Sequence, residues 1–343
     1  MGIPNDFLIE DIRTQKDFNI ETFSGYKKTE VFSALFKAIE TYKIEEVSIW
    51  TIELMLSCQT SVLYEKFISY SSKYINILNP NLPSLLCNRY TYYKNMNISN
   101  SEAINNQTIR NHLIEIALVL SFSHKTKGTI LPKLCNNDFK NEFFVKKLKA
   151  NSQNIITKYS QKNDPVVVNI ILNELWDRIL KKNLKEALYF LNWLITYDKN
   201  KKLVCTSREV EGLSKKYFTD FNMYIWYIFL NEHYNSHLQS LVSNLFEMSL
   251  YQYTKTKSIL MIVHAMKLLC EKNINLSQPI FTNRYTVYQV ISKVNFIVAS
   301  KKKFTQKKKK ETIKFEVSKP KETFTNDTIS EKEKIVMSLD TMF

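Results

Sequence analysis

Glycine is scarce in this sequence, and its scarcity excludes several classes of enzyme. Only Gly2, Gly25, Gly128 and Gly212 occur among 343 residues. Phosphate-binding P-loops and dinucleotide-binding fingerprints need several glycines close together, because the backbone must approach a phosphate closely. The nucleophile elbow of α/β-hydrolases likewise has glycines on both sides of its serine. The chain matches none of these patterns. We therefore predict no catalytic residue and no cofactor, and favour a non-enzymatic protein over an enzyme built from scattered residues.

The spacing of the cysteines and the length of the apolar runs argue against disulfide-rich, zinc-binding and membrane-spanning proteins. The five cysteines lie far apart and mostly within apolar stretches, which is typical of reduced core residues and not of a disulfide framework or a zinc site. The longest apolar runs, 114–122 and 259–266, fall well short of the roughly 20 residues that cross a bilayer. We therefore expect neither membrane insertion nor secretion.

One pair of histidines has the spacing of metal ligands. His233 and His237 are four residues apart and would share one face of a helix. The zinc-protease pattern needs a glutamate directly after the first histidine, whereas Tyr234 occupies that position. No acidic or cysteine cluster nearby supplies further ligands in the sequence. We therefore predict solvated histidines and no metal site.

Basic residues outnumber acidic ones, but few of them are arginines. The chain has 48 Lys and Arg against 33 Asp and Glu, a formal net charge of +15, and only six of the basic residues are Arg. A strong positive field attracts polyanions such as nucleic acids. Heavy use of Lys, Asn, Ile, Tyr and Phe is also what the codon bias of an AT-rich genome produces, so a compositional origin is the alternative. The scarcity of arginine argues against sequence-specific base reading, which usually uses Arg.

An apolar helical pattern occurs twice, within 31–56 and again within 170–195, and its matched positions are 140 residues apart. The matched apolar positions are Leu35 and Leu175, Ile39 and Ile179, Ile44 and Leu184, Trp50 and Phe190, and Leu54 and Leu194. Each copy predicts two helices joined by a tight turn rich in Lys or Asn. Such antiparallel pairs bury apolar faces that neither helix could bury alone.

These patterns predict an all-α fold, either a helical bundle or a helical-hairpin array with two similar helix-pair units. Strand-like alternation is not sustained in any segment. Asp164 as an N-cap and Pro165 as a first helical residue mark the start of the second half. The predicted regions are an N-terminal arm over 1–25, a first helical half over 26–164, a second helical half over 165–299 and a disordered Lys-rich tail over 300–343.

The predicted tail begins with a block of lysines. Residues 301–322 contain ten Lys and three Glu, a net charge of +7, while 323–343 contain two Lys and four acidic residues, a net charge of −2. Such a block predicts non-specific contact with nucleic-acid phosphate or a nuclear import signal, and a solubilising tail is the alternative. The lysines assigned to phosphate contact are Lys301, Lys302, Lys303, Lys307, Lys308, Lys309 and Lys310.

Two further segments mix cations with aromatic residues. The stronger one contains Arg89, Tyr90, Tyr92, Tyr93 and Lys94, which would form a stacking platform for single-stranded bases. The alternative, which we favour, is that these aromatic rings pack into the core.

The second of these segments is weaker. Lys215 and Lys216 precede Tyr217 and Phe218, and the same two interpretations apply to them.

The last residues carry an apolar stripe. Ile335, Leu339, Met342 and Phe343 are spaced to share one helix face, which predicts a peptide that folds into the groove of a partner protein. The segment resembles the sliding-clamp-binding peptide in placing Leu339 three positions before Met342, although Val336 replaces the glutamine of that motif. Docking on the protein's own helical body is the alternative.

Three blocks of the chain resemble an uncharacterised helical protein family of nucleocytoplasmic large DNA viruses, the mimivirus-like and algal viruses. The blocks are FKAIETYKIEEVSIWTIELMLS (36–57), SKYINILNPNLPSLL (72–86) and KEALYFLNWLI (185–195). The resemblance implies an AT-rich viral gene and a virus that supplies much of its own replication and transcription machinery. It implies a location in the viral factory of the host cytoplasm, in the virion or in the host nucleus, and it transfers no activity.

Together these observations predict a non-enzymatic viral protein that associates with nucleic acid or with the viral replication and transcription machinery. Basic surfaces and the Lys-rich tail would contact phosphate without sequence preference, and viral proteins would be further partners. The alternative is a helical protein-protein scaffold or virion component whose excess of lysine is compositional.

Overall fold

The computed structural model describes residues 3–11, 13–151 and 154–303. Within these ranges the regular secondary structure is helical, apart from one antiparallel bridge between Glu21 and Lys27. The all-α prediction is therefore confirmed. Residues 294–303 are helical as well, and the Lys-rich tail beyond them lies outside the described residues. The α-helices are α1 (Lys28–Glu40), α2 (Ile44–Leu56), α3 (Thr60–Tyr70), α4 (Leu82–Asn95), α5 (Asn100–Ala103), α6 (Gln107–Phe122), α7 (Asn141–Val145), α8 (Asn154–Tyr159), α9 (Val166–Leu180), α10 (Leu184–Lys201), α11 (Phe221–Asn231), α12 (Ser236–Leu250), α13 (Lys255–Cys270) and α14 (Arg284–Ser292).

The chain divides into two compact units, each built from separate segments. Unit 1 comprises Met1–Leu63, Ile98–Phe122 and Asn283–Phe343, and unit 2 comprises Tyr64–Asn97 and Ser123–Thr282. This division differs from the contiguous halves 26–164 and 165–299 expected from the sequence. The reason is that each helical pair recruits packing partners from distant parts of the chain.

Unit 1 is organised around the helical pair α1 and α2. Both helices pack against α6, and α6 also packs against α14. The predicted N-terminal arm joins this core, because Phe18 and Phe23 are buried. The backbone N–H of Phe23 donates to the hydroxyl of Ser57 at 2.8 Å, which ties the arm to the end of α2.

Unit 2 is organised around the helical pair α9 and α10. Helix α13 packs against both of them and against α11 and α12. The large buried side chains of α11 include Tyr224, Trp226 and Phe229. The indole N–H of Trp226 donates to the hydroxyl of Ser258 at 3.0 Å, so a buried polar atom of the core has its partner.

The two helical pairs have matching turns. Helix α1 ends at Glu40 and α2 begins at Ile44, while α9 ends at Leu180 and α10 begins at Leu184, so each bound is shifted by 140. Tyr42 and Lys182, also 140 apart, both have left-handed backbone, with φ of 60° and 56°. The N–H of the third turn residue then bonds a carbonyl five residues back in each pair. The sequence repeat is thus a structural repeat.

The predicted cap at the start of the second half is wrong in detail. Helix α9 begins at Val166, Pro165 occupies the N-cap position, and no side chain caps the helix. The Asp164 carboxylate instead pairs with the buried guanidinium of Arg208 at 2.8 Å. It also accepts hydrogen bonds from the backbone N–H groups of Gln161 and Thr206. Burial acts in the opposite direction, but the contacts with Arg208 and these N–H groups lower the pKa of Asp164.

Candidate anion-binding pocket

A lysine-lined pocket lies within unit 2. Its cavity has a volume of about 420 Å³. Four of its lining side chains are lysines and one is a glutamate, so positive charge dominates the lining. The lining residues are Pro132, Lys146, Lys147, Lys149, Asn183, Lys185, Glu186, Tyr189 and Phe190.

Helix α10 supplies one wall of the pocket, and the segment 132–149 supplies the other. Three hydrogen bonds tie the segment to α10. The Tyr189 hydroxyl donates to Oδ1 of Asp138 at 2.8 Å, and the Trp193 indole N–H donates to the Asp138 carbonyl at 2.9 Å. The side chain of Asn192 donates to the carbonyl of Pro132 at 2.8 Å. Consecutive turns of one helix therefore position the segment that carries three of the four lysines.

Asp138 fixes one of these lysines. Its carboxylate accepts hydrogen bonds from the N–H and the thiol of Cys135 and from the hydroxyl of Tyr189, and it lies 3.3 Å from Nζ of Lys147. Burial opposes ionisation, but these contacts outweigh it and lower the pKa of Asp138 to about 2. The Lys147 ammonium also lies 4.1 Å from the centroid of the Tyr189 ring. Lys147 is therefore a structural lysine whose charge is partly neutralised.

The single glutamate of the pocket is also paired. Glu186 lies 2.6 Å from Nε of the buried Arg178, which pairs with Glu174 and Asp177 as well. In turn, Oε1 of Glu174 accepts a hydrogen bond from the backbone N–H of Ala150 at 2.8 Å. Glu186 is thus drawn toward a buried arginine that it shares with two other carboxylates, and four lysines still outnumber it in the lining.

Three exposed lysines of the pocket form no ion pair with the described part of the chain: Lys146, Lys149 and Lys185. An ammonium group is a compact point charge with three donors, and it binds phosphate without demanding a fixed orientation. The pocket offers no aromatic face to a base, because Lys147 covers Tyr189 and Phe190 is buried. The lining of the pocket therefore presents mainly ammonium donors to a ligand.

The predicted phosphate contact Lys301 is instead a core residue. Its ammonium lies 2.8 Å from Oε2 of Glu53, and both side chains are almost fully buried. The ammonium also lies 5.3 Å from the ring centroid of Trp50 and 5.7 Å from that of Tyr26. Burial opposes ionisation of Glu53, but the charge and hydrogen bond of Lys301 lower the pKa of this carboxyl. Lys301 fails as a surface contact because a buried carboxylate needs its charge.

The remaining residues of the lysine block have different placements. Lys302 donates a hydrogen bond to the carbonyl of Leu8 at 2.8 Å, whereas Lys303 is exposed. The assignment of Lys303 to phosphate contact stays a prediction. The predicted contacts Lys307, Lys308, Lys309 and Lys310, together with the partner-binding residues Ile335, Leu339, Met342 and Phe343, lie outside the described residues.

The predicted stacking platform on α4 is not formed by its two central rings. Tyr90 and Tyr93 are buried, and each ring packs against Tyr64, with centroid distances of 5.3 and 5.2 Å. The rings of Tyr90 and Tyr251 meet edge to face, with their centroids 4.6 Å apart. These two residues are core aromatics because they occupy the inward face of their helix. Tyr92 is 43% exposed, and its role stays a prediction.

The two cations of the predicted platform differ from its central rings in exposure. Arg89 and Lys94 are half-buried, and the Lys94 ammonium lies 5.6 Å from the Tyr90 ring centroid. In the second predicted segment, Lys215 and Lys216 are exposed, and the Lys216 ammonium lies 4.7 Å from the Tyr217 ring centroid. Phosphate contact by these cations stays a prediction.

The two histidines with metal-ligand spacing do not share a helix. Helix α12 begins at Ser236 with Asn235 as its cap, so His233 precedes the helix and His237 lies within it. Nε2 of His237 lies 2.7 Å from the side-chain oxygen of Asn81. Over the described ranges, no three His, Cys, Asp or Glu side chains are placed to hold a metal ion.

The lysine pocket was missed by sequence analysis. A local signal existed, since Lys146, Lys147 and Lys149 are clustered in the sequence. Lys185 lies far along the chain, however, and only the packing of 132–149 on α10 brings it to the same cavity.

None of the helices in the described part of the chain is both long and apolar enough to cross a membrane.

Fold and pocket together define an all-α protein with a lysine-lined pocket in one of its two units. No protein-family model, curated protein or solved structure matches the chain.

Proposed function

We propose that this is a non-enzymatic helical protein that associates with nucleic acid through phosphate contacts. The observation that carries the proposal is the pocket in unit 2, where Lys146, Lys149 and Lys185 border one cavity without an acidic partner in the described ranges. A nucleic-acid backbone presents closely spaced phosphates, and lysines that neutralise them release condensed counterions. Because this gain depends on charge alone, the binding is independent of base sequence.

The chain as a whole supports the same ligand. Its formal net charge of +15 produces an attractive field for polyanions at distances beyond direct contact. The family resemblance proposed from the sequence would place this binding in a cell infected by a large DNA virus. There the protein would work beside the viral replication and transcription machinery.

The test is a salt series of fluorescence-anisotropy titrations with the full chain and labelled duplex and single-stranded DNA. The variant Lys149→Glu with Lys185→Glu reverses two unpaired pocket charges. Its control is Lys37→Glu with Lys272→Glu, which gives the same change in net charge at two other exposed lysines that form no ion pair within the described part of the chain. We expect the pocket variant to bind at least about tenfold more weakly and to lower the salt slope by about 1 for each lost phosphate contact.

The control distinguishes binding at the lysine pocket from attraction by the net charge of the whole chain. If both double variants weaken binding equally, the pocket is not the contact and only the net charge matters. If the wild-type chain binds neither nucleic acid near physiological salt, the proposed function is wrong.

A helical protein-protein scaffold is the second candidate function. The observation that favours it is Lys301, whose charge supports a buried carboxylate although it opens the lysine block. Some of the lysine excess therefore serves the fold. The scaffold gains support if nucleic-acid binding is absent and the full chain captures a defined protein from infected cells in a salt-resistant complex.

A further inference from the structure

The volume of the lysine pocket limits which part of a nucleic acid can enter it. The cavity of about 420 Å³ lies at the lower end of the roughly 300–1,000 Å³ that ligand pockets enclose. A duplex, whose major groove alone is about 12 Å wide, is too large for this space. The cavity therefore suits one nucleotide or a smaller group, while the rest of the strand stays outside.

The positive groups of the pocket come from both of its walls. Lys146 and Lys149 lie on the segment 132–149, and Lys185 lies on α10. A phosphate within a strand has two free oxygens and one charge, and its chain must leave the cavity on both sides. A phosphate monoester at a strand end has three free oxygens and up to two charges, and its chain leaves on one side only. The strand end therefore matches ammonium donors on two walls better than an internal phosphate does.

The first turn of α10 adds to the positive field of the lysines. The side chain of the N-cap residue Asn183 accepts a hydrogen bond from the N–H of Glu186 at 3.2 Å, and Lys185 is the second residue of the helix. The start of an 18-residue helix carries a partial positive charge. The opposing charge in the lining is that of Glu186, which lies 2.6 Å from Nε of Arg178. A doubly charged strand end therefore gains more from this lining than a singly charged diester does.

We propose that the lysine pocket binds a phosphate monoester at the end of a nucleic-acid strand, with Lys146, Lys149 and Lys185 as its charged contacts. The inference rests on the proposed function, since nucleic acid is the ligand in both, and it names the part of the ligand that enters the cavity. The Lys147 ammonium lies 4.1 Å from the centroid of the Tyr189 ring, so the pocket does not offer this ring to a base. We therefore expect the same affinity for every terminal base.

The test measures fluorescence-anisotropy binding of the full chain to oligo(dT) labelled on an internal base. One form has phosphate at both ends, and the other has hydroxyl groups at both ends. A longer hydroxyl-ended oligo(dT) with the same total charge as the phosphorylated form is the ligand control. The protein variants are Lys149→Gln with Lys185→Gln in the pocket and Lys37→Gln with Lys272→Gln at exposed positions elsewhere. Circular dichroism reports whether each variant keeps its fold.

We expect the wild-type chain to bind the phosphorylated form at least about fivefold more tightly than either hydroxyl-ended form, because a terminal phosphate accepts several charge-assisted hydrogen bonds. The pocket variant should bind all three forms alike. The variant at Lys37 and Lys272 should keep the preference even where its binding is weaker. Inorganic phosphate should displace the phosphorylated strand only in large excess, because it lacks the other phosphates of the strand.

Equal affinity of the wild type for all three forms overturns the inference, and so does a preference that survives in the folded pocket variant. If the Lys149→Glu, Lys185→Glu variant still loses affinity for nucleic acid in either case, the proposed function stands without the inference. Displacement by inorganic phosphate at a concentration equal to that of the strand would make the free ion the ligand and overturn the assignment to strand ends. Absence of binding to every form would overturn both proposals.

Discussion

The helical pairs α1–α2 and α9–α10 share a turn but bury different groups at equivalent positions. Glu53 on α2 corresponds to Trp193 on α10, at the shift of 140. The carboxylate of Glu53 binds the ammonium of Lys301, and the indole of Trp193 donates to the Asp138 carbonyl. Each residue therefore binds a distant segment to its helical pair, Glu53 by an ion pair and Trp193 by a hydrogen bond.

The comparison distinguishes the residues that form each helical pair from the residue that binds a distant segment to it. The shared apolar positions and the left-handed turn residue are enough to form two antiparallel helices. The differing buried residue then selects the segment that packs there. In unit 1 that segment is the helix 294–303, and in unit 2 it is the segment 132–149 that carries the pocket lysines. The positions at which the two repeats differ are therefore those that bind a specific segment of the chain.

The largest effect should follow from breaking the buried pair of unit 1. We expect Glu53→Ala to lower the free energy of unfolding by about 3–5 kcal/mol, because the buried Lys301 ammonium loses its counter-charge. The double variant Glu53→Met with Lys301→Met removes both charges and should cost less, with a remaining loss because the N–H and hydroxyl of Ser24 no longer have Glu53 as acceptor. Urea denaturation measures both variants, and Lys303→Ala is the exposed control. A loss below about 1 kcal/mol for Glu53→Ala would mean that water solvates this pair.

A smaller effect should appear at the segment held by α10, and it depends on pH. The pKa of Asp138 falls from an ordinary 3.8 to about 2 in the folded protein. A lowered pKa means that this stabilisation is complete above about pH 5 and is lost as the pH falls through 2. We therefore expect Asp138→Asn to cost about 2 kcal/mol at pH 7 and the difference from wild type to close near pH 2.

Urea denaturation at several pH values checks this prediction. Asp6→Asn, at an exposed carboxylate of unit 1, controls for removal of one acidic residue. A difference that stays constant down to pH 2 would show that Asp138 acts through its shape and hydrogen bonds alone.

The smallest effect should come from substitutions in the turns of the two helical pairs. These substitutions test whether the turns are equivalent. Tyr42 and Lys182 adopt left-handed backbone, which costs a residue with a Cβ roughly 1–2 kcal/mol and glycine almost nothing. We expect Tyr42→Gly and Lys182→Gly each to raise the free energy of unfolding by less than about 1 kcal/mol, because glycine also adds disorder to the unfolded chain. Urea denaturation measures both, with Lys181→Gly as the control at a residue with negative φ. A gain at one turn and a clear loss at the other would contradict the equivalence.

The repeat could be predicted from the sequence because its information is local. Apolar spacing defines the helices, and the turn follows at a fixed place between them. The division into units could not be predicted in the same way. It depends on contacts such as the hydrogen bonds from Arg110 to the carbonyl of Phe7 and the side chain of Asn295, which join three distant segments. No periodic pattern encodes such pairings.

The candidate sites show a second limit of sequence reasoning. Tyr90 and Tyr285 both lie beside a cation in the sequence, yet the first ring is buried and the second is exposed. A local mixture of aromatics and cations is the same for a core helix and for a binding face. Only the direction in which the helix packs distinguishes them, and neighbouring elements set that direction.

The pair between Lys301 and Glu53 also determines where this chain can be cut. A natural-looking boundary lies after Val298, where the apolar pattern of the last helix stops and the lysines begin. A chain shortened there would lose the counter-charge of a fully buried carboxylate, so weak nucleic-acid binding by it would report a damaged unit 1. A boundary after Lys303 keeps the pair and removes only residues beyond the described helix. Protein engineers who shorten the C-terminal end should therefore keep Lys301 and the rest of the helix through residue 303.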